Sequence, residues 1–315
     1  MNESGQATAE DCRAAVAPEP AAASRRVREV PTAVVGVAYL ASYVFLDWIS
    51  SLEQPFANYA WNPNSGASIA FALMFGRRMI PFMFVAPLLD DLVDDLTIQK
   101  VPLPLSFELA SAILIGSVYG AAVLFLLHPK QRFDPTLQST YSLFLLTATT
   151  AVSTAIVAAG YVGMVVDFGL LPATDFVPAM LSYWVGDAIG MMVLTPFALV
   201  LWTRRYAVWV SAETVLQLLA IVAALMLVYA YWTAQQLQLV YVLFVPIVWM
   251  AVRTGIEGVC LGILAVQLGF ILGFHAFPHE MSEMPKVQAL MLVLALTGLF
   301  AGELVTERHS RPRQP

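Results

Sequence analysis

Residues 103–127 read LPLSFELASAILIGSVYGAAVLFLL, and the only formally charged side chain among them belongs to Glu108. About 20 helical residues are enough to cross the hydrocarbon core of a bilayer, so this stretch predicts a membrane-spanning helix. The composition of the whole chain agrees, because 59% of its 315 residues are hydrophobic and 12% are charged. Soluble domains carry about twice that charged fraction, so most of the protein's surface is expected to face lipid.

Nine further apolar runs, separated by polar residues or by Pro and Gly, have the same character. They cover residues 30–50, 64–75, 79–92, 141–166, 176–202, 213–232, 237–252, 256–274 and 287–306. Together the ten runs predict an all-α fold, a polytopic transmembrane helical bundle of about ten spans. The second and third runs are shorter than a bilayer requires, so they are either short tilted helices or a broken pair lining a cavity. Eight spans remain if neither of them crosses.

The basic residues predict the orientation, because Lys and Arg near the ends of spans stay on the cytoplasmic side. With the amino terminus inside, fourteen of the sixteen Lys and Arg residues fall on inner segments. Only Lys100 and Lys286 fall on the outer segments, which are acidic instead. Both termini are therefore predicted to be cytoplasmic. Residues 1–29, rich in Ala, Glu and Pro, predict a disordered cytoplasmic tail rather than a signal peptide.

Ionisable groups inside spans are costly, so each one is a functional hypothesis. Asp187 is near the middle of the sixth run, in residues 183–190, YWVGDAIG. A carboxylate at that depth must be protonated, paired with a cation or hydrated in a cavity. Gly186 and Gly190 form a face that lets another backbone approach closely. Asp187, with Tyr183 and Trp184 beside it, is therefore a candidate ligand or proton site, and equally a candidate clamp between helices.

The stretch at residues 61–66, WNPNSG, enters the second run from outside and resembles a helix start, with Pro and side-chain oxygens available to satisfy free backbone donors. A polar cavity open to the outside would account for the polar residues predicted near this depth. These candidates are Trp61, Asn62, Asn64, Asp47, Glu108, Asp187 and Gln267. Hydrogen bonds that only fix helix packing explain the same residues equally well, and Asp47 is also close enough to a span end to reach water.

Arg253 is near the inner end of the eighth run. We favour a membrane anchor on the cytoplasmic side, with Glu257 one turn on as its partner, over a role in signalling. The acidic run at residues 90–95 and the pair His275 and His279 suit a solvated span end and an outer loop better than a metal site.

No motif predicts a catalytic residue or a bound cofactor. Cys12 and Cys260 give neither a disulfide framework nor a cysteine-based metal spacing. Nothing resembles a P-loop, a dinucleotide fingerprint or a nucleophile beside a base. No folded stretch is basic enough to predict nucleic-acid binding.

The order of several motifs is similar to a known family. The pattern W-x-P-x-S-G at residues 61–66, followed by FGRR at 75–78 and by Pro81, resembles the opening of the first type of membrane-associated sensor domain. This multi-span input module precedes bacterial histidine kinases and diguanylate cyclases. Glu108 in an Ala-rich run, the G-D-x-x-G pattern at 186–190 with Pro196, and F-x-P-x-x-W-x-x-x-R-x-G at 244–255 are similar too.

The resemblance implies a sensor in the bacterial cytoplasmic (inner) membrane, without catalysis of its own and, by analogy, a homodimer. It would signal to a histidine kinase or diguanylate cyclase domain, in cis or in trans, in two-component or cyclic di-GMP signalling. Residues 30–306 would form the sensor domain and 307–315 the start of a connector, in which Pro312 would end a helix. His309 is not expected to be a phosphoacceptor, because no kinase signature surrounds it. The ligand and any cofactor stay open.

Two other functions fit the same residues. Carboxylates at membrane depth, spans broken by Gly or Pro, and short loops also suit a secondary transporter of a small molecule or ion. A scaffold that binds another membrane protein through the surfaces of its spans is the third alternative.

Overall fold

The structure, a computed structural model, describes residues 31–51, 61–97, 103–203, 211–231, 237–276 and 284–310. Within these ranges every regular element is helical, which confirms the predicted all-α class. The α-helices are α1 (Thr32–Ser51), α2 (Pro63–Phe75), α3 (Phe82–Thr97), α4 (Leu105–Leu126), α5 (Thr140–Asp167), α6 (Phe176–Thr203), α7 (Ala212–Ala230), α8 (Phe244–Ala276) and α9 (Met284–Ser310). Short 3-10 helices occupy Arg77–Met79, Pro129–Gln131, Ala173–Asp175 and Leu237–Leu243.

Seven helices in the described ranges are long and apolar enough to cross a membrane, namely α1 and α4 to α9. Helix α2 has 13 residues and α3 has 16, so both are shorter than the about 20 residues that a bilayer requires. The eighth and ninth predicted runs both contribute to α8. These features account for the difference between the ten predicted runs and the seven long helices.

The outer surfaces of the long helices are apolar. Val34 and Val37 on α1, and Leu216 and Leu219 on α7, are all more than half exposed. Such side chains are stable only against lipid, so these helices contact the bilayer. Among the seven long helices α6 has the largest buried share and α1 the smallest, which places α6 at the centre of the bundle.

Helix α8 reverses direction at Gly255, where the backbone leaves the helical region with φ 65° and ψ −149°. A Cβ built on Gly262 would lie 2.9 Å from Cδ1 of Ile247. In a continuous helix these two residues would be about 22 Å apart. Residues 244–254 and 256–276 are therefore two segments that pack against each other.

Some predicted features lie outside the described residues. They are the tail at 1–29, Lys100, His279 and the end of the predicted connector at 311–315.

Replacing Gly255 by Ala is expected to destabilise the protein more than replacing Gly76 by Ala. Both glycines combine a positive φ with an extended ψ, a region that is nearly restricted to glycine and costs an L side chain about 1–3 kcal/mol. A Cβ at Gly76 meets no atom within 4 Å, whereas one at Gly255 would lie 2.3 Å from Oγ1 of Thr306. That overlap is expected to add about 1–3 kcal/mol.

Thermal unfolding of the purified protein in lipid nanodiscs measures both losses. An equal loss of stability in Gly255→Ala and Gly76→Ala would contradict the tight contact at the reversal.

Candidate functional site

Helix α2 begins directly against α6, backbone to backbone. The N–H of Asn62 donates to the carbonyl oxygen of Gly186 at 3.0 Å. A Cβ built on Gly190 would lie 1.7 Å from the Asn62 carbonyl oxygen, and one built on Gly66 would lie 2.3 Å from the Gly190 carbonyl oxygen. Any larger residue at Gly66 or Gly190 would therefore push the two helices apart. This confirms the close approach that the spacing of Gly186 and Gly190 predicts.

Buried hydroxyl groups tie the same two helices together. Oγ of Ser65 donates to the carbonyl oxygen of Asn62 at 2.8 Å and lies 3.3 Å from that of Asp187. Oγ1 of Thr195, on α6, donates to the carbonyl oxygen of Gly66 at 3.0 Å. The first turn of α2 is thus held by main-chain and hydroxyl contacts that depend on small residues.

The predicted helix start at residues 61–66 is present, with one difference. Pro63 occupies the first turn as expected, and Asn62 is the N-cap. The Asn62 side chain makes no capping hydrogen bond, however. It lies against the carboxyl group of Asp187 instead, so a residue expected to satisfy backbone donors faces the buried acid.

Asp187 is buried where α2, α4 and α6 meet, with 1% of its surface exposed. The hydroxyl of Tyr119, on α4, donates a hydrogen bond to Oδ2 of Asp187. The other carboxyl oxygen, Oδ1, has no hydrogen-bond partner among the described residues. Within the same ranges, the side chains that act on the carboxyl group are Tyr119 and Asn62, neither of them a cation. The structure thus surrounds this acid with neutral polar groups.

A second set of polar contacts joins α2 to α1. Nδ2 of Asn64 donates to Oδ1 of Asp47 at 2.9 Å. The hydroxyls of Tyr39 and Ser68 lie 2.8 Å apart, and Ser68 donates its own proton to the carbonyl oxygen of Asn64. Tyr39 must therefore be the donor to Ser68. Helix α2 is a polar bridge between α1 on one side and the Asp187 carboxyl group on the other.

A comparison with protein families matches residues 32–309 to MASE1, the first type of membrane-associated sensor domain. The chain belongs to the MASE1 family. The match covers nearly all of the described helices and confirms the resemblance seen in the motifs at 61–66 and 244–255. MASE1 is a sensory membrane domain, and no catalytic family is indicated. Comparisons with curated proteins and with solved structures found no match.

Three other candidate residues of this MASE1 domain make no hydrogen bond to Tyr119 or Asp187 in the described part of the chain. Glu108 precedes Tyr119 by three turns of α4, about 16 Å along the helix. Gln267 is buried in α8, and its Nε2 has no hydrogen-bond partner among the described residues. Trp61 is buried at the start of α2, and within the described ranges its Nε1 has none either.

Tyr183 and Trp184, which precede Asp187 on α6, make packing contacts. The ring of Tyr183 stacks on that of Tyr161, on α5, with the ring centroids 5.0 Å apart. Nε1 of Trp184 donates to the carbonyl oxygen of Ala151, also on α5, at 3.0 Å. Both residues therefore help to fix α6 against α5.

Arg253 forms a two-point ion pair with Glu213, the acidic residue in the first turn of α7. Its Nε lies 2.6 Å from Oε1 and its Nη2 lies 3.0 Å from Oε2. Glu257 was the expected partner because it is one turn on, but that spacing holds only in a continuous helix. The reversal at Gly255 separates the two residues and turns Arg253 towards α7. The Arg253 side chain is 58% exposed, as suits a residue at a membrane surface.

The sequence did not identify Tyr119, Tyr39, Ser68 or Glu213 as members of these contacts. Tyr119 is 68 residues from Asp187 in the chain, and a tyrosine is compatible with lipid, interface or core. One signal was available. Ser65 and Ser68 line one face of a short helix with Asn64, and such small polar residues are typical of helix contacts inside membranes.

Replacing Gly190 by Ala is expected to lower the free energy of unfolding by about 1–3 kcal/mol, because the new Cβ overlaps the backbone of α2. Gly163→Ala on α5 is the matched control, since a Cβ there meets no atom within 4 Å. The control is expected to be neutral or to gain about 0.5–1 kcal/mol from helix propensity. Thermal unfolding in nanodiscs checks both, and a Gly190→Ala variant as stable as the control would contradict the docking of α2 on α6.

Proposed function

We propose that the chain is a membrane-embedded sensory input domain that passes a signal through α9 to a cytoplasmic output domain of a kinase or diguanylate cyclase. The observation that carries this proposal is a set of polar contacts around Asp187, which we call the polar junction. Its residues are Asp47, Asn62, Asn64, Tyr119 and Asp187, and it joins α1, α2, α4 and α6 within a MASE1 domain. A network of this kind has discrete arrangements, because breaking one buried bond leaves the others unsatisfied. A ligand or partner that binds one arrangement better would shift the population towards it.

The start of α9 contacts the helix that carries Asp187. Oγ of Ser182, on α6, donates to Oε1 of Gln288, on α9, at 3.3 Å. Ser182 lies on the same helix as Asp187, little more than one turn away. A displacement of α6 would therefore reach α9 through a direct hydrogen bond as well as through packing.

The far end of α9 is held by two further polar contacts. The backbone N–H of Ile256, immediately after the reversal in α8, donates to Oγ1 of Thr306 at 3.1 Å. The hydroxyl of Thr140, at the start of α5, donates to Oε2 of Glu307 at 2.8 Å. These contacts set the rotation and axial position of α9 where it would leave the membrane, so they are the place where a shift in the bundle would reach an effector.

Ten spans with both termini inside remain our proposal for the topology. Asn64 bonds to Asp47 near one end of α1, and Nη1 of Arg78 donates to Oγ1 of Thr32 at 3.5 Å near the other end. Residues 64–78 therefore retrace residues 32–47, a depth of about 22 Å. This supports a crossing by α2, and the reversal in α8 supports two crossings there. The distribution of Lys and Arg supports the orientation.

In this proposal, residues 30–306 form the sensor domain in a bacterial inner membrane, with residues 1–29 as a cytoplasmic tail. Residues 307–315 begin the connector, the effector acts in cis or in trans, and two copies of the chain form a homodimer.

Joining a diguanylate cyclase domain to α9 after Ser310 tests the proposal, with cellular cyclic di-GMP as the readout. Asp187→Asn and Tyr119→Phe each disturb the buried bond, so each is expected to change the output several-fold relative to the unmodified sensor. Asp175→Asn is the matched control, because this exposed carboxylate precedes α6 outside the polar junction. Its output is expected to stay unchanged at equal protein levels.

Unchanged output in both junction variants would contradict the proposed function. Concentrative uptake by the protein in liposomes, abolished by Asp187→Asn, would show a transporter instead.

A further inference from the structure

The buried junction is acidic throughout. Asp187 interacts with Tyr119, Tyr119 with Tyr183 and Tyr43, and Tyr43 with two further carboxyl groups. The titratable groups in this set, which come from α1, α3, α4 and α6, are Tyr43, Asp47, Asp90, Tyr119, Tyr183 and Asp187. In the described part of the chain, the main electrostatic influences on Tyr43, Tyr119 and Asp187 come from acidic or neutral groups rather than from Lys, Arg or His. Tyr43, Tyr119 and Asp187 are buried, whereas Asp47, Asp90 and Tyr183 are half-buried. A set of acids of this kind favours a positively charged ligand.

Two buried oxygen atoms at this site have no hydrogen-bond donor among the described residues. Tyr119 has a single hydroxyl proton and gives it to Oδ2 of Asp187. Oδ1 of Asp187 and Oδ1 of the adjacent Asn62 are both buried, and neither has a hydrogen-bond partner among the described residues. Unsatisfied buried oxygens are costly. One proton on Oδ1 of Asp187 would satisfy both, since it could be donated to Asn62.

We infer that Asp187 and Asn62 form a proton-binding site, in which Oδ1 of Asp187 takes a proton from hydronium and the resulting O–H donates a hydrogen bond to Oδ1 of Asn62. The inference rests on the proposed sensory function and identifies the proton as the stimulus of the sensor. The step adds one proton to a carboxylate and needs no other reactant. When the proton leaves, rotation of the Asn62 amide by half a turn presents Nδ2 to the carboxylate instead.

A metal cation fits the same place less well. Hard divalent cations take six or more oxygen ligands, whereas two carboxyl and amide oxygens lack donors here. Within the described residues, no group of three or more His, Cys, Asp or Glu side chains could hold a metal ion. The site therefore suits a proton.

Proton binding would act on the docking of α2. Asn62 is the N-cap of α2, and its backbone is bonded to Gly186 and packs on Gly190. The positive end of the α2 dipole thus lies beside the carboxyl group of Asp187. An ionised carboxylate attracts that end, and a protonated one does not. Binding of the proton is expected to loosen α2 from α6.

Infrared difference spectroscopy of the full chain in nanodiscs, recorded between low and high pH, tests the site. We expect a carboxylic acid C=O band that disappears as the pH rises, is lost in Asp187→Asn and persists in Asp175→Asn. In Asn62→Ala the band is expected to move to higher wavenumber, because the acid loses its hydrogen-bond acceptor. If Asp187→Asn fails to fold, the shift of the band in Asn62→Ala still tests the site.

If the full chain shows no carboxylic acid band that depends on Asp187 at any pH, the inference is overturned. So would a band unmoved in Asn62→Ala, or one abolished by sodium at constant pH, which would identify a metal cation instead. These outcomes are separate from the cyclic di-GMP readout. A change of output without a titrating band would leave the sensory function intact and remove the proton as its stimulus.

Discussion

The hydrogen bond from Tyr119 to Asp187 joins α4 to the centre of the bundle, in a place where neither residue can exchange its partner for water. A carboxyl group at membrane depth is tolerated only when the surrounding helices supply polar groups to it. Here they come from α4 through a phenol and from α2 through Asn62. The contact of Asn62 with the acid requires α2 to lie close to α6, and that closeness depends on Gly66 and Gly190. The burial of the Asp187 carboxyl group and the packing of α2 on α6 therefore depend on each other.

A second constraint governs the helix that would carry a signal out. Gly255 reverses α8, and the N–H that follows it is bonded to Thr306 of α9. The same reversal places Arg253 beside Glu213 on α7, at the same end of the bundle. One glycine conformation thus organises the contacts of three helices. A shift of the central helix α6 would act on α9 through the hydrogen bond at Gln288, while the other end of α9 is held at Thr306.

The fold class was predictable from the sequence because lipid imposes strong composition rules on each span. A close approach of another backbone to α6 was predictable as well, since Gly186 and Gly190 are a local pattern on a single helix. The partners were not. Tyr119 comes from a distant helix, and nothing in its neighbourhood singles it out from other tyrosines. Glu257 was a wrong choice of partner for Arg253 because the i+4 rule assumes a helix that Gly255 interrupts.

The number of membrane crossings is also difficult to predict from the sequence alone. Length alone separates α2 and α3 from the long helices, yet Asn64 of α2 and Arg78, which follows it, contact residues near the two ends of α1. Side-chain contacts between helices decide such cases, and a single sequence does not contain them. The start of this same short helix contributes Asn62 to the candidate site.

A double-mutant cycle on Tyr119→Phe and Asp187→Ala tests the central claim most directly. The free energies of unfolding of the single and double variants would be measured in the same lipid. The account predicts that the two losses are not additive, with a coupling of about 0.5–1.7 kcal/mol, the range found for hydrogen bonds between helices in membranes. Additive losses would contradict a direct bond between these residues and the buried junction built on it.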